Sequence, residues 1–284
     1  MTKQLQAQYA DEFDFPLVKG RQNFACLNDN LESTCDMGTC KTTPTSSNFF
    51  CPYGVAKNPT LDAELAFEDS YGGTVFYQSG QHCHYWNQKA NAVNSPITLM
   101  NYDYGILELN YVKHFGTRSL LILDEAHNIE NKLMKTMEVN LFNYRLEKDI
   151  NKVISKETFK DGELEDWIME IAAITESYED IDIKDISKNK ADRVRSTIGR
   201  LKSLKNNLEK EPKNWVIDAD DTGVTFKPLK VHHYAANNLL KYGDVVIFMS
   251  ATILSHKMFS KWLGLNPNEV YHIKVDSPFS KEKR

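Results

Sequence analysis

The stretch Leu120-Leu121-Ile122-Leu123-Asp124-Glu125-Ala126-His127 constrains the fold of this chain more than any other. A short apolar run of this kind reads as a strand buried on both faces, as inside a parallel sheet. Polar groups at the carboxyl end of such a strand lie where open α/β sheets bind their ligands. Two adjacent carboxylates there suit a nucleotide site. Asp124 can hold Mg²⁺, directly or through water, and Glu125 can orient or deprotonate an attacking water. The simpler reading is a strand that runs into an acidic helix N-terminus, a position that Asp and Glu favour in any case. His127 likewise reads as a core histidine or a helix-start residue.

The 284 residues can hold one large domain or two to three smaller ones. A formal net charge of −5 gives no global pull toward nucleic acid, so any DNA binding must come from local patches. No apolar run approaches the length of a membrane span, and Met1 to Leu5 lacks the apolar core of a signal peptide, which points to a cytoplasmic protein with no membrane partner.

All five cysteines, Cys26, Cys35, Cys40, Cys51 and Cys83, fall within the first third of the chain. The segment between them is rich in Thr, Ser, Asn, Pro and Gly, and it cannot order itself by apolar burial. A metal centre is the expected organiser. Zinc sites usually show closer cysteine pairs than Cys35 and Cys40, and wide, irregular thiolate spacing fits an iron–sulfur cluster better. Just before Cys26, Lys19-Gly20-Arg21 could approach a phosphate backbone, with Phe24 as a stacking surface, or form a solvated loop. Between Cys51 and Cys83, Leu61–Phe67 is expected as a short helix. Gly72-Gly73 turns the chain into a strand at Thr74–Tyr77.

Further strands are expected at Ile97–Met100 and Val245–Met249, and a hairpin at Trp215–Phe226 with its turn at Asp220–Gly223. From about Asn140 to Glu211 the pattern is helical, with Val194, Ile198, Leu201, Leu204 and Leu208 on one stripe. Its charge is divided: eleven acids against two bases between Glu157 and Asp185, and eight bases against two acids between Lys188 and Lys210. The basic helix is either a solvated face paired with its acidic neighbour or a nucleic-acid surface.

Several of these motifs together resemble the XPD/DinG iron–sulfur helicases of superfamily 2. Asp124-Glu125-Ala126-His127 is similar to their Walker B box, and Ser250-Ala251-Thr252, behind a buried strand, to their motif III. Lys19-Gly20-Arg21-Gln22-Asn23-Phe24-Ala25-Cys26 resembles the start of their iron–sulfur domain. Cys83-His84-Tyr85-Trp86, with Asn101-Tyr102-Asp103-Tyr104, resembles its exit. The resemblance implies a 4Fe–4S cluster on Cys26, Cys40, Cys51 and Cys83, with Cys35 as the alternative to Cys40. It also implies an ATP site with Mg²⁺ on Asp124, and coupling of that site to DNA through His127, Ser250 and Thr252. Lys19, Arg21, Phe24, Tyr85 and Tyr102 are then the candidate strand contacts.

The implied fold is α/β: a partial RecA-like parallel-sheet motor domain (1–22, 96–139 and 213–265) carrying two inserts. These are an iron–sulfur domain (23–95) and a helical Arch-like domain (140–212), with 266–284 as the start of a link to a second motor domain. The implied activity is ATP-driven 5′→3′ movement on single-stranded DNA and unwinding of fork or duplex DNA, in repair or replication and at the nucleoid in a prokaryotic or viral setting. No G-x-x-x-x-G-K-[ST] occurs, and none of the thirteen glycines precedes a lysine. By comparison with the family, the chain is expected to be the middle of a helicase, completed by segments elsewhere or encoded by a split gene, and inactive alone. The competing expectation is a non-catalytic, metal-dependent DNA-binding adaptor derived from such a helicase.

Overall fold

Two pairs of parallel strands form the α/β part of the chain. β1 (Leu17–Val18) pairs with β5 (Leu99–Met100), and β6 (Arg118–Leu123) pairs with β10 (Gly243–Phe248). The structure is a computed structural model and describes residues 3–58, 62–155, 158, 162–253 and 255–275. Parallel strands with intervening helices agree with the expected α/β class. In the β6–β10 pair, Phe248 stands opposite Leu123, so both strands end level and their loops leave side by side.

Burial of these strands on both faces is not observed. Leu121, Leu123, Val246 and Phe248 pack with Ile129, Leu133, Ala235 and Leu263 in one core. On the other face Leu120, Ile122, Val245 and Ile247 remain 41–57% exposed. The two-residue period of a strand sorts the apolar run into a covered row and an open row. A continuous apolar run cannot reveal this in sequence.

The cysteine-rich segment is mostly loop around a small antiparallel sheet built from Val55–Ala56 (β2), Leu65–Glu68 (β3) and Thr74–Tyr77 (β4), in the order β2-β4-β3. The helix expected over Leu61–Phe67 is corrected: Leu61 lies outside the described residues, and Leu65–Glu68 is a strand. A bulge between Leu65 and Phe67 lets Ala66 and Phe67 both be buried, and pairing with β4 overrides the local helix preference. Gly72 makes the turn at φ +77°, as expected. Asp69 locks that turn by accepting the N–H groups of Tyr71 (3.0 Å) and Gly73 (2.8 Å).

The helices of the segment after β7 (Val139–Phe142) form as their periodicity predicts. The helix Lys188–Lys210 starts at Ser187, whose side chain accepts the Lys190 N–H, and buries Val194, Leu201, Leu204 and Leu208. Facing it, the helix Leu164–Glu179 opens with a reciprocal cap between Glu163 and Asp166 and buries Trp167, Ile171 and Ile174. The hairpin β8 (Trp215–Asp220) and β9 (Gly223–Pro228) joins β7 (Val139–Phe142) in a sheet of order β7-β9-β8. Val139, Leu141, Trp215, Val224 and Phe226 share one core with the two helices. The boundary read at 212/213 therefore cuts through a packed unit, and the hairpin belongs with the helices.

Candidate functional site

The loops after β6 and β10 are tied together by their backbones. Met249 N–H donates to the Leu123 carbonyl, and Ala126 N–H donates back to the Met249 carbonyl, each at 2.9 Å. Between these bonds Glu125 adopts φ +50°, ψ +44°, a left-handed conformation that L-residues avoid. The turn swings the chain into the helix Ile129–Met137 and leaves Asp124 and Glu125 half-buried at the strand end. His127 Nδ1 lies 2.9 Å from Ser250 Oγ and 3.3 Å from Glu125 Oε2. Ser250 Oγ also accepts the Thr252 N–H at 3.2 Å and stands 3.4 Å from Thr252 Oγ1. A polar line thus runs from Glu125 through His127 and Ser250 to Thr252. The Asp124 carboxylate makes no hydrogen bond or ion pair among the described residues. Its backbone carbonyl accepts the Tyr102 hydroxyl at 2.6 Å. Burial, with Asp124 and Glu125 close by, pushes that hydroxyl well above its ordinary value and keeps it a donor.

The five cysteines line one cavity of about 200 Å³. Cys35 Sγ and Cys83 Sγ are 3.8 Å apart, Arg21 Nη1 donates to Cys35 Sγ at 3.3 Å, and Cys40 and Cys51 lie close enough to perturb each other's thiols. Cys83 precedes the helix His84–Asn94. The hydrogen bond it shares with Cys35, joined by the N–H groups of Trp86 and Tyr85, draws its thiol down to about 6. Cys40 is drawn down to about 6 by its neighbour Cys51, and within each pair the other thiol, Cys35 or Cys51, is pushed up. Cys26 is buried beside them with its sulfur against Gly38, where an added Cβ would come within 2.6 Å. The sulfur contacts thus pair Cys35 with Cys83 and Cys40 with Cys51. Among the described residues, no three His, Cys, Asp or Glu side chains converge tightly enough to grip a single metal ion.

The DEAD_2 family model matches residues 2–146, just over half of the sequence, from the first helix through the Asp124–His127 turn. The chain belongs to the DEAD_2 family. That membership and the motifs agree in making it a helicase-family protein of the XPD/DinG type. A solved XPD helicase is similar at 16% identity and a TM-score of 0.42, over 65% of this chain and 37% of that one. The chain therefore spans little more than a third of that helicase's length. No curated protein matches the sequence.

In this DEAD_2 protein the expected strand contacts divide. Lys19 is exposed and Phe24 half-buried. Arg21, Tyr85 and Tyr102 are each engaged by contacts within the chain. The Arg21 guanidinium sits 4.2 Å from the Tyr85 ring centre and 5.0 Å from that of Trp86. Tyr85 is 6% exposed and turns its hydroxyl to Tyr104 at 3.3 Å. A ring sealed in this way has no face to offer a base. Tyr102 is spent beneath the carboxylate turn, and Asn101 aims it by capping the helix Tyr102–Leu107 through the Tyr104 N–H at 2.8 Å. The cap pattern was visible in the sequence; the partner of Tyr102, twenty-two residues on, was not.

Proposed function

We propose that this DEAD_2 chain works in an ATP-dependent DNA helicase that moves 5′→3′ on single-stranded DNA and opens duplex ahead of it. Asp124 would hold Mg²⁺, and Glu125 would orient the water that attacks the terminal phosphate. His127, Ser250 and Thr252 pass the state of that site to the strand. The observation that carries this reading is the 2.9 Å contact between His127 and Ser250, because it joins the carboxylate turn of β6 to the hydroxyl turn of β10.

The cysteine pocket supports a 4Fe–4S cluster as the second cofactor. Its lining offers five soft thiols and no carboxylate or imidazole, and Arg21, Lys41 and Lys188 on its wall offset thiolate charge. Cys35, Cys40, Cys51 and Cys83 are the set favoured by the sulfur pairing, with Cys35 in the place the family pattern gives to Cys26. When bound, the cluster would cross-link loops that have little apolar core of their own.

The deciding experiment measures ATP hydrolysis stimulated by single-stranded DNA in the complete helicase that contains this chain and in its Glu125→Gln variant, with strand binding followed in parallel. Hydrolysis lost in the variant while strand binding persists supports the helicase reading. Strand binding with no hydrolysis in either protein overturns it in favour of an adaptor.

A further inference from the structure

A second cavity, of about 550 Å³, opens in the helical insert between β7, the helix Asn143–Ile150 and the helix Lys188–Lys210. Its volume lies in the range of small-molecule sites. Leu141, Leu146 and Leu201 form an apolar floor. Four cations, Arg145, Lys148, Arg193 and Arg200, line it against one carboxylate, Asp149. That excess stands out on a chain whose net charge is −5.

One wall is aromatic. Phe142 and Tyr144 stack at 5.9 Å with 26° between their planes, and Arg145 lies 5.5 Å from both ring centres while its Nε donates to the Tyr144 hydroxyl at 2.7 Å. Tyr144 is 60% exposed, so much of its ring remains open to a ligand. The reading of the basic helix as a face paired with its acidic neighbour accounts for little of this. Among the described residues one ion pair joins the two helices, Lys202 to Glu179 at 2.5 Å, and it lies outside the cavity. Arg193 makes no ion pair among the described residues, and Arg200 donates only to the backbone carbonyl of Glu138.

We propose that this cavity binds a nucleotide unit, with a base stacked on Tyr144 and its phosphate held by Arg193 and Arg200. An open aromatic face beside guanidinium groups that have no carboxylate partner matches that chemistry: stacking is tolerant of base identity, and planar guanidinium groups pair with phosphate oxygens. The unit can belong to a single strand or to a free nucleotide. The inference goes beyond the ATP site at Asp124 and does not depend on it.

The test uses the intact protein with a labelled oligothymidylate carrying one 5-iodouracil. The strand is cross-linked by light, the attached peptide is mapped, and affinity is titrated across salt. The cross-link is expected on Tyr144 or Phe142. Tyr144→Ala should weaken binding roughly tenfold and Tyr144→Phe should restore it. Arg193→Ala should reduce the salt slope by about one. Both positions are exposed, so neither change threatens folding. Thymidine monophosphate that blocks the cross-link identifies a free-nucleotide site, and failure to block it identifies a strand site. Cross-links confined to other parts of the chain, with unchanged affinity in both variants, overturn the proposal and leave DNA binding elsewhere intact. Absence of any strand or nucleotide binding overturns it together with the DNA-binding part of the helicase reading, while hydrolysis remains a separate measurement.

Discussion

Lys89 Nζ lies 2.7 Å from Glu108 Oε2, and the two side chains are 1% and 2% exposed. Lys89 belongs to the helix that starts at Cys83, and Glu108 follows the helix that carries Tyr102. The pair therefore pins the cysteine pocket to the support of the nucleotide turn. The Tyr85–Tyr104 hydroxyl contact runs beside it, and the His114 N–H occupies the second carboxylate oxygen at 3.1 Å. Any movement of one site relative to the other must break or carry this pair.

Removing one partner strands a buried charge, whereas removing both need not. Glu108→Ala should destabilise the protein by about 3–5 kcal/mol, and the double change Lys89→Met with Glu108→Leu by far less. Urea unfolding of the three proteins measures this. Equal losses in the single and double variants would show that packing, not charge, sets the cost.

The same carboxylate gives a pH signature. Burial raises the Glu108 pKa, but the hydrogen bond from His114 and the attraction of Lys89 outweigh it, so the folded value lies below the ordinary 4.5. A depressed carboxylate contributes stability that is fully present above its unfolded pKa and lost as pH falls through the folded one. Stability should thus fall more steeply in wild type than in Glu108→Gln, and only below about pH 4.5. A difference between the two slopes near neutral pH would rule this account out.

The sulfur pairing makes a choice among ligands. Cys35→Ser and Cys83→Ser should each abolish bound iron and the brown colour of anaerobically purified protein, while Cys26→Ser keeps both. Iron lost in Cys26→Ser and kept in Cys35→Ser would restore the ligand set implied by the family pattern. A colourless wild type holding one zinc would remove the cluster altogether. Chelation of the metal should expose the loops between Cys26 and Cys83 to protease first, because Cys35, Cys83 and Tyr85 form only a small apolar cluster of their own.

Local patterns were legible where a short segment decides its own fate. The stripe Val194, Leu201, Leu204, Leu208 gave the long helix, the Asp220–Gly223 turn gave the hairpin, and Asp124 to His127 gave the family and the centre of the candidate site. Long-range packing decided the rest. Leu65–Glu68 became a strand because β4 lay beside it, Tyr85 and Arg21 turned inward because they meet each other, and β8–β9 joined the helices through Trp215 and Phe226. The cavity at Tyr144 was invisible for the same reason: its cations come from two helices about fifty residues apart. Periodicity finds the buried face of each helix and says nothing of which exposed faces meet.

Glu125 combines a chemical role with a strained backbone, and the two can be separated. A non-glycine residue in the left-handed region costs about 1–2 kcal/mol, part of which glycine returns through the extra freedom of its unfolded chain. Glu125→Gly should therefore stabilise the protein by roughly 0.5–1 kcal/mol, since the φ of +50° suits glycine and the side chain is 42% exposed. Glu125→Gln keeps the strain and should leave stability near wild type. Both changes remove the carboxylate and should abolish strand-stimulated hydrolysis alike. Thermal unfolding of this chain and ATP turnover of the complete helicase that contains it, measured with the same two substitutions, test the pair of claims independently. A destabilised Glu125→Gly would mean that the His127–Glu125 contact, at 3.3 Å, holds the turn more firmly than the backbone resists it. Residual hydrolysis in Glu125→Gln would move the water-orienting role to another group.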